Sequence, residues 1–257
     1  TDVTVGDIDV SDGAVSITAT GGSVLDADAL VGGANDGDQD ITAVALRLNA
    51  GSGVGGNVNH LETSVGTLSA AAGDGGVYLL EADAVSVGDV GLSVNRVGSD
   101  GALTVVTDAS QSDITSGNNG AIVLRSTAGG ITLNEGAAIS ANGSGNVLVQ
   151  TLGANQNITA NADADISSGS GSISVLAAGG VIFNAQADIR TSSTGAGSGS
   201  IDVQAGSGAI EQDATSALVS TGAGATVRLL AATDVTVGDI DVSDGAVSIT
   251  ATGGSVL

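Results

Sequence analysis

The side chains in this sequence best suited to chemistry are carboxylates, because the 257-residue chain has no Cys, no Met, no Trp and only one His. In the segment from Asn35 to Asp40, three carboxylates stand at alternate positions of a Gly-containing loop. Calcium takes about six to eight hard oxygen ligands, and this spacing supplies several of them. Ile41 stands where an EF-hand loop needs Gly, so that pattern is absent. We therefore predict a candidate calcium site formed by Asp36, Asp38 and Asp40. An ordinary polar turn is the alternative.

The other residues lack most of the side-chain groups that enzymes use for catalysis. Without Lys or Cys the chain has no phosphate-binding Lys loop, no Schiff-base Lys and no thiol nucleophile. His60 lacks the partners of a zinc site or a catalytic triad, and we interpret it as a solvated loop residue. A carbohydrate-active enzyme, a polysaccharide hydrolase or lyase, is the main alternative to a non-enzymatic role, since paired carboxylates can cleave a sugar bond. The candidate pairs are Asp7 with Asp9, Asp163 with Asp165, and Asp239 with Asp241. We predict that the chain is not an enzyme and holds no cofactor apart from the candidate calcium.

The charge balance limits the classes of partner. Twenty-eight acidic and five basic residues give a formal net charge of −23. Such a field repels nucleic acid and anionic lipid, and it favours solubility and cation binding. No apolar run approaches the length of a membrane-spanning helix. We therefore predict no nucleic-acid binding, because of the charge, and no membrane insertion.

Alternation of apolar and polar residues predicts the elements that position these groups. Segments such as Val15 to Ala19 and Leu46 to Ala50 alternate with period two, which indicates strands, and Gly-, Asn- and Ser-rich clusters between them indicate turns. Aligning the strongest strand of each cycle gives about nine cycles, in which a large, a large and a small residue recur at alternate positions. The aligned strands start at Val15, Leu46, Val77, Leu103, Ile122, Val147, Ile173, Ile201, Val227 and Val247.

A second regularity indicates two further strands per cycle. Apolar residues eight positions apart recur in four successive cycles, at Ile131 and Ile139, Ile158 and Ile166, Val181 and Ile189, and Ile210 and Leu218. Cycles of about 20 to 30 residues with three short strands are typical of a parallel β-helix. We predict a single all-β parallel β-solenoid of about ten coils, with long loops at Asp26 to Asp40 and Gly53 to Thr67. Glu81 breaks the column of small residues, and we interpret it as a local error of register, with a carboxylate that meets a cation as the alternative.

The outward positions of the aligned strands predict an interaction surface. A solvated face should carry Ser, Thr, Asn or Asp, but in the middle coils these positions are mostly aliphatic. Stacked coil on coil, they would form an apolar stripe, and exposed apolar patches commonly mark contacts. We predict lateral self-association or cover by a long loop, with scattered exposed aliphatics as the alternative. The candidate interface residues are Tyr78, Leu80, Val106, Val123, Leu148, Leu176 and Leu230.

An internal repeat organises the whole chain. Thr1–Leu25 recurs letter for letter at Thr233–Leu257, so residues 1–232 are one repeat and 233–257 begin the next. We interpret 1–257 as one continuous solenoid cut from a tandem array, in which neighbouring repeats contact one another end to end.

The stretch from Gly171 to Ile189, GSISVLAAGGVIFNAQADI, resembles the repeats of filamentous haemagglutinin-like exoproteins, and Ala121 to Ile139 and Ser200 to Leu218 are similar. Those proteins are bacterial surface adhesins secreted by a two-partner route or as autotransporter-like passengers. The resemblance implies a right-handed parallel β-helix outside the cell, acting as a long fibre in cell–cell or cell–surface adhesion. Its partners would be cell-surface glycans or proteins, and a calcium-dependent adhesin module is a further alternative.

Overall fold

The computed structural model describes residues 1–28, 37–192 and 199–257, and all regular structure in these ranges is β. Twenty-five strands form one sheet that winds around a core, and almost every pairing in it is parallel between consecutive coils. The predicted parallel β-helix with three strands per coil is confirmed. Its strands stack on three faces, which we number in the order in which the chain meets them.

Face 1 carries one strand of every coil. The register runs without a break from Val3 through Val77 and Ile173 to Val247. These pairings therefore form one continuous column of strands from Val3 to Val247. Its strands are β1 (Val3–Val5), β3 (Val24–Asp26), β5 (Gly53–Val54), β7 (Gly76–Glu81), β12 (Ile122–Ser126), β15 (Val147–Thr151), β18 (Ile173–Ala177), β21 (Ile201–Ala205), β24 (Thr226–Ala231) and β27 (Ala246–Ala251).

Faces 2 and 3 are built differently at the two ends of the molecule. In the first three coils single long strands cover both faces, and these are β2 (Ile8–Ala19), β4 (Ile41–Ala50) and β6 (Leu61–Ala72). In later coils the faces separate at a tight corner. Face 2 then holds β8 (Val85–Val87), β13 (Ile131–Leu133), β16 (Ile158–Ala160), β19 (Val181–Phe183), β22 (Ile210–Gln212) and β25 (Val235–Thr236), and face 3 holds β11 (Ile114–Ser116), β14 (Ala138–Ala141), β17 (Asp165–Ser168), β20 (Ile189–Thr191), β23 (Ala217–Ser220) and β26 (Asp239–Val242).

One hairpin leaves the solenoid. Strands β9 (Val90–Val97) and β10 (Leu103–Gln111) pair antiparallel in a separate two-stranded sheet. The sequence alignment was wrong here, because it placed Leu103 at the start of a coil. Alternation alone cannot separate a solenoid strand from a hairpin strand, since both have a side-chain period of two.

Alternation produces the core. On face 1 every second residue points inward, so Leu79, Leu124, Val149 and Val175 stack in one fully buried row. The apolar pairs eight residues apart face the same core from faces 2 and 3, as predicted. Burying a Leu or Ile side chain stabilises a protein by about 1.5–3 kcal/mol, and here nearly every coil contributes several.

Small polar residues shape the corner between faces 3 and 1. Ser116, Ser168, Thr191 and Ser220 are buried, and each hydroxyl donates to the carbonyl of a turn glycine. A buried carbonyl without a partner costs about 1–3 kcal/mol, so these hydroxyls satisfy groups that the turn would otherwise leave unpaired. The recurrent hydroxyls therefore belong to the corners of the fold.

Two further sequence expectations need correction. Val15 and Leu46 pair with each other and then with Leu68, so they lie outside the face 1 column of Val77, with which they were aligned. The segment from Gly53 to Thr67 is not one long loop, because it contains β5 and the first half of β6. Part of the other predicted loop, residues 29–36, lies outside the described residues.

The two copies of the 25-residue segment occupy different faces. Val3 begins the face 1 column, whereas its equivalent Val235 lies on face 2 in β25. Both copies keep the same local contact, since Val3 pairs with Val24 and Val235 pairs with Val256, the equivalent of Val24. One repeat therefore advances about eight and a third coils, or ~40 Å at the usual strand spacing.

Candidate functional site

Three carboxylates meet where face 1 leads into the long strands. Asp26 ends β3, Asp28 follows it, and Asp40 precedes β4. One carboxylate oxygen from each residue lies within 4.8 Å of those from the other two. Neighbouring groups hold them in place, because the Asn59 amide donates to Asp26 Oδ2 at 2.6 Å and the Glu62 backbone N–H donates to Asp40 Oδ2 at 2.8 Å. The three carboxylates thus meet within one coil, between β3 and β4, and Asn59 and Glu62 of the next coil hold them.

The electrostatics of this group favour uptake of a positive charge. Asp40 is only 4% exposed, and burial together with the nearby Asp26 carboxylate raises its pKa well above the usual range. Like charges this close favour either a shared proton or a cation. A hard divalent cation suits carboxylate oxygens, so Asp26, Asp28 and Asp40 are the described residues best placed to hold calcium.

The calcium prediction from sequence included one of these three carboxylates. Asp40 belongs to the group, Asp38 is exposed and lies outside it, and Asp36 falls outside the described residues. The sequence reasoning missed Asp26 and Asp28 because alternation sets no register between the end of β3 and the start of β4. Calcium binding itself stays a prediction.

Calcium is expected to stabilise the protein at pH 8. At a concentration of 100 times its Kd, a ligand that binds only the folded state adds about 2.7 kcal/mol to the free energy of unfolding. Thermal unfolding at constant ionic strength, with calcium or magnesium, measures this effect. The stabilisation should shrink at pH 5, where protons compete for the ligands. Asp28→Asn should abolish it, and Asp38→Asn is the matched control. Equal stabilisation of wild type and Asp28→Asn would contradict this site.

A second candidate is the outer surface of face 1. The pairing places Tyr78, Val123 and Leu148 in one outward row, with Leu80 beside Tyr78 in the next row. All four are half-buried and form a continuous apolar patch. Farther along, polar and charged residues interrupt the surface, and Arg228 pairs with Asp202 through two hydrogen bonds of 2.9 and 3.0 Å.

The predicted interface is therefore only partly continuous. Leu176 and Leu230 lie on the same face, but Gln204 stands between them in their row. Val106 does not belong to this surface, because it lies in β10 of the hairpin and pairs with Val94. Its inclusion followed from the wrong assignment of Leu103. Self-association through the remaining six residues stays a prediction.

The other singled-out residues have structural surroundings. His60 is 8% exposed and stacks on Tyr78 with ring centroids 6.0 Å apart, so its interpretation as a solvated loop residue was wrong. Burial lowers the pKa of its imidazole, and Arg125 adds to this. In the candidate sugar-cleaving pairs, Asp163 stands in a turn with φ of 59°, and Asp165 accepts a hydrogen bond from the Asp188 N–H.

Comparison with known proteins adds no relative to this geometry. The chain matches no family model, no curated protein and no solved structure. The resemblance to haemagglutinin-like repeats therefore stays a prediction, as do the absence of enzymatic activity and the extracellular location. Within the described residues, no helix is long and apolar enough to cross a membrane.

Proposed function

We propose that the chain is a structural segment of a long extracellular fibre, as in a bacterial surface adhesin, that holds cells to one another or to a surface. The main support for this proposal is the way in which the repeated 25-residue segment stacks on the coils before it. Residues Thr233–Leu257 stack on the preceding coils through β25, β26 and β27, and they have the sequence of Thr1–Leu25. The same coil can therefore end one repeat and begin the next.

The mechanism is mechanical. Hydrogen bonds between coils run along the axis, and each added repeat lengthens the same continuous sheet by ~40 Å. Stability in such a solenoid is approximately a sum over coils and their interfaces, so length does not require a larger core. A net charge of −23 per chain keeps neighbouring rods apart in solution.

Side contacts complete the proposal. The patch formed by Tyr78, Leu80, Val123 and Leu148 is half-buried and apolar on an otherwise acidic surface. Such a patch favours contact with a second rod, and divalent cations would reduce the repulsion between the acidic sides. Cell-surface glycans or proteins are the proposed targets of the finished fibre.

Electron cryo-microscopy of the native protein tests the architecture. The expected result is a rod with coils ~4.8 Å apart and a repeat of ~40 Å, each repeat rotated by one face relative to the last. Protease treatment of intact cells tests the location, since an external fibre should be degraded without lysis. A compact particle, or full protection of the chain until the cells are lysed, would contradict the proposal.

A further inference from the structure

The hairpin of β9 and β10 is anchored on the first coils of the solenoid. Strand β9 lies against β6, β4 and β2, so the hairpin runs back across the three coils that precede its own. Arg47 in β4 fixes its base, because Nε donates to the Ala109 carbonyl at 3.0 Å. Gln111 adds a second anchor by donating to the Leu48 carbonyl at 3.0 Å.

The rest of the hairpin extends past the first coil. One coil separates β4 from β2, a distance of ~4.8 Å, whereas Val106 and Leu103 lie about 10 and 20 Å from Ala109 along β10. Nothing within the described residues covers this end, since Val94 is 53% exposed and Leu103 is 64% exposed. The burial pattern shows which side faces the axis, because Leu92, Val106 and Asp108 are half-buried while the alternate residues are exposed.

The repeated segment shows what would lie beneath this overhang. Residues Ala14–Ala19 of β2 have the sequence of Ala246–Ala251, which form β27 and stack on β24. In that register Leu230 adjoins Thr250, the equivalent of Thr18. In an array, β24 of the preceding repeat would therefore stack directly under β2. Beyond it, Asp202 of β21 would follow on the same face.

We propose that this hairpin is a strap that seats on face 1 of the preceding repeat. Val94 and Val106 form a pair about one coil beyond β2, which places them at the level of β24, where Arg228 continues the row of Arg47 and Leu230 lies in the next row. Arg96 lies two residues farther toward the tip on the same side of β9 and reaches the level of Asp202. The contact therefore depends on two apolar side chains next to a half-buried leucine, because Asp202 is already paired with Arg228. Val97 points to the opposite side of the hairpin and stays outside the contact.

This strap rests on the proposed array, and it adds a joint that ties each repeat to the one before it. The partner is a copy of the same repeat, linked through the shared 25-residue segment. Because the copies are offset by one face, successive hairpins would project in three directions around the fibre.

Disulfide trapping tests whether the hairpin contacts the preceding repeat. The chain has no native Cys that would interfere. The protein used for this test is a tandem in which residues 1–232 precede a complete 1–257 chain. Leu230→Cys is placed in the first repeat and Val94→Cys in the second. The control pairs the same Leu230→Cys with Val97→Cys on the far side of the hairpin. We expect the Val94 pair to form its intramolecular disulfide at least about tenfold faster than the control, because proximity raises the effective concentration of one thiol at the other.

The outcomes separate the strap from the array. Thermal unfolding of the single chain with Val94→Cys should match the wild type, since that side chain is largely exposed there. A continuous rod by electron cryo-microscopy with selective Val94 cross-linking supports both proposals. A continuous rod with no cross-link, or with equal rates in the control, overturns the strap and leaves the array standing. Two separate particles joined by a linker would show that the repeats do not stack into one array. That result would also exclude the contact between the hairpin and the preceding repeat.

Discussion

Acid is expected to stabilise this protein: its free energy of unfolding should be larger at pH 5 than at pH 8. Glu81 is one of two causes, because its side chain is fully buried and burial raises its pKa from 4.5 to about 7. In the unfolded chain the carboxyl group ionises above pH ~4, whereas the folded protein keeps it protonated up to the higher pKa. Stability is therefore lost as the pH rises between these two values. Asp40 contributes in the same direction, since its pKa is also raised.

The contribution of Glu81 can be isolated by substitution. The difference between its folded and unfolded pKa corresponds to about 3 kcal/mol between the ends of the titration. Glu81→Gln keeps the shape of the side chain and removes the charge. The amide oxygen can accept from the Val65 and Asp83 N–H groups as Oε1 does, and the amide nitrogen can donate to the Thr63 hydroxyl. The variant should thus lose this part of the pH dependence.

Urea unfolding at pH 5 and pH 8 measures the effect. Glu135→Gln is the control, because it removes the same charge from an exposed side chain and changes the net charge equally. If Glu81→Gln and Glu135→Gln show the same pH dependence as the wild type, the buried carboxyl group does not govern it. If Glu81→Gln alone becomes less sensitive to pH, the assignment holds.

Glu81 also shows where reasoning from sequence fails. Its inward position was aligned correctly, since it pairs with Ser126 in the column of small residues. A charged residue at an inward position nevertheless looked like an error of register, because isolated buried charges are costly. The hydrogen bonds that make this carboxyl group tolerable come from β6, in the coil before it. Only the stacking of the coils reveals these donors.

The repeating part of the fold was readable for a simple reason. Each later coil buries its residues on its nearest neighbours, so one local pattern, as in Ile122 to Ser126, is repeated by every coil. The first three coils broke this rule. Strand β4 covers two faces without a corner, and it contains no Gly or Ser that would mark where one face ends. The alignment therefore joined Leu46 to the wrong column.

The candidate sites were harder to predict than the fold. Asp26 and Asp40 are 14 positions apart in the sequence, at the end of β3 and just before β4, and alternation within the strands does not predict that they meet. The outer row of Tyr78 and Val123 was readable, since outward residues follow directly from the same alternation. Contacts within a coil or between equivalent positions of adjacent coils follow from periodicity, whereas contacts at loops do not.

Replacing the corner glycine Gly171 by Ala is expected to be among the most damaging small changes in the chain. A Cβ atom there would lie 2.1 Å from the carbonyl oxygen of Gly145 in the coil before it, which is far inside van der Waals contact. That same carbonyl accepts the Ser168 hydroxyl, and the Gly171 N–H donates back to Ser168 Oγ. The backbone of one coil must therefore move away from the next, which breaks this corner.

The expected loss for Gly171→Ala is about 3 kcal/mol, at the upper end of the usual range for overpacking. Gly21→Ala is the matched control, because its Cβ would meet nothing within 4 Å. Because each coil contacts only its neighbours, the damage should be local, and native-state hydrogen exchange is the suitable measurement. Amides of β15 and β18 should exchange faster, whereas those of β2 and β4 should keep their protection. Uniform acceleration along the whole chain would show instead that the coils unfold as one cooperative unit.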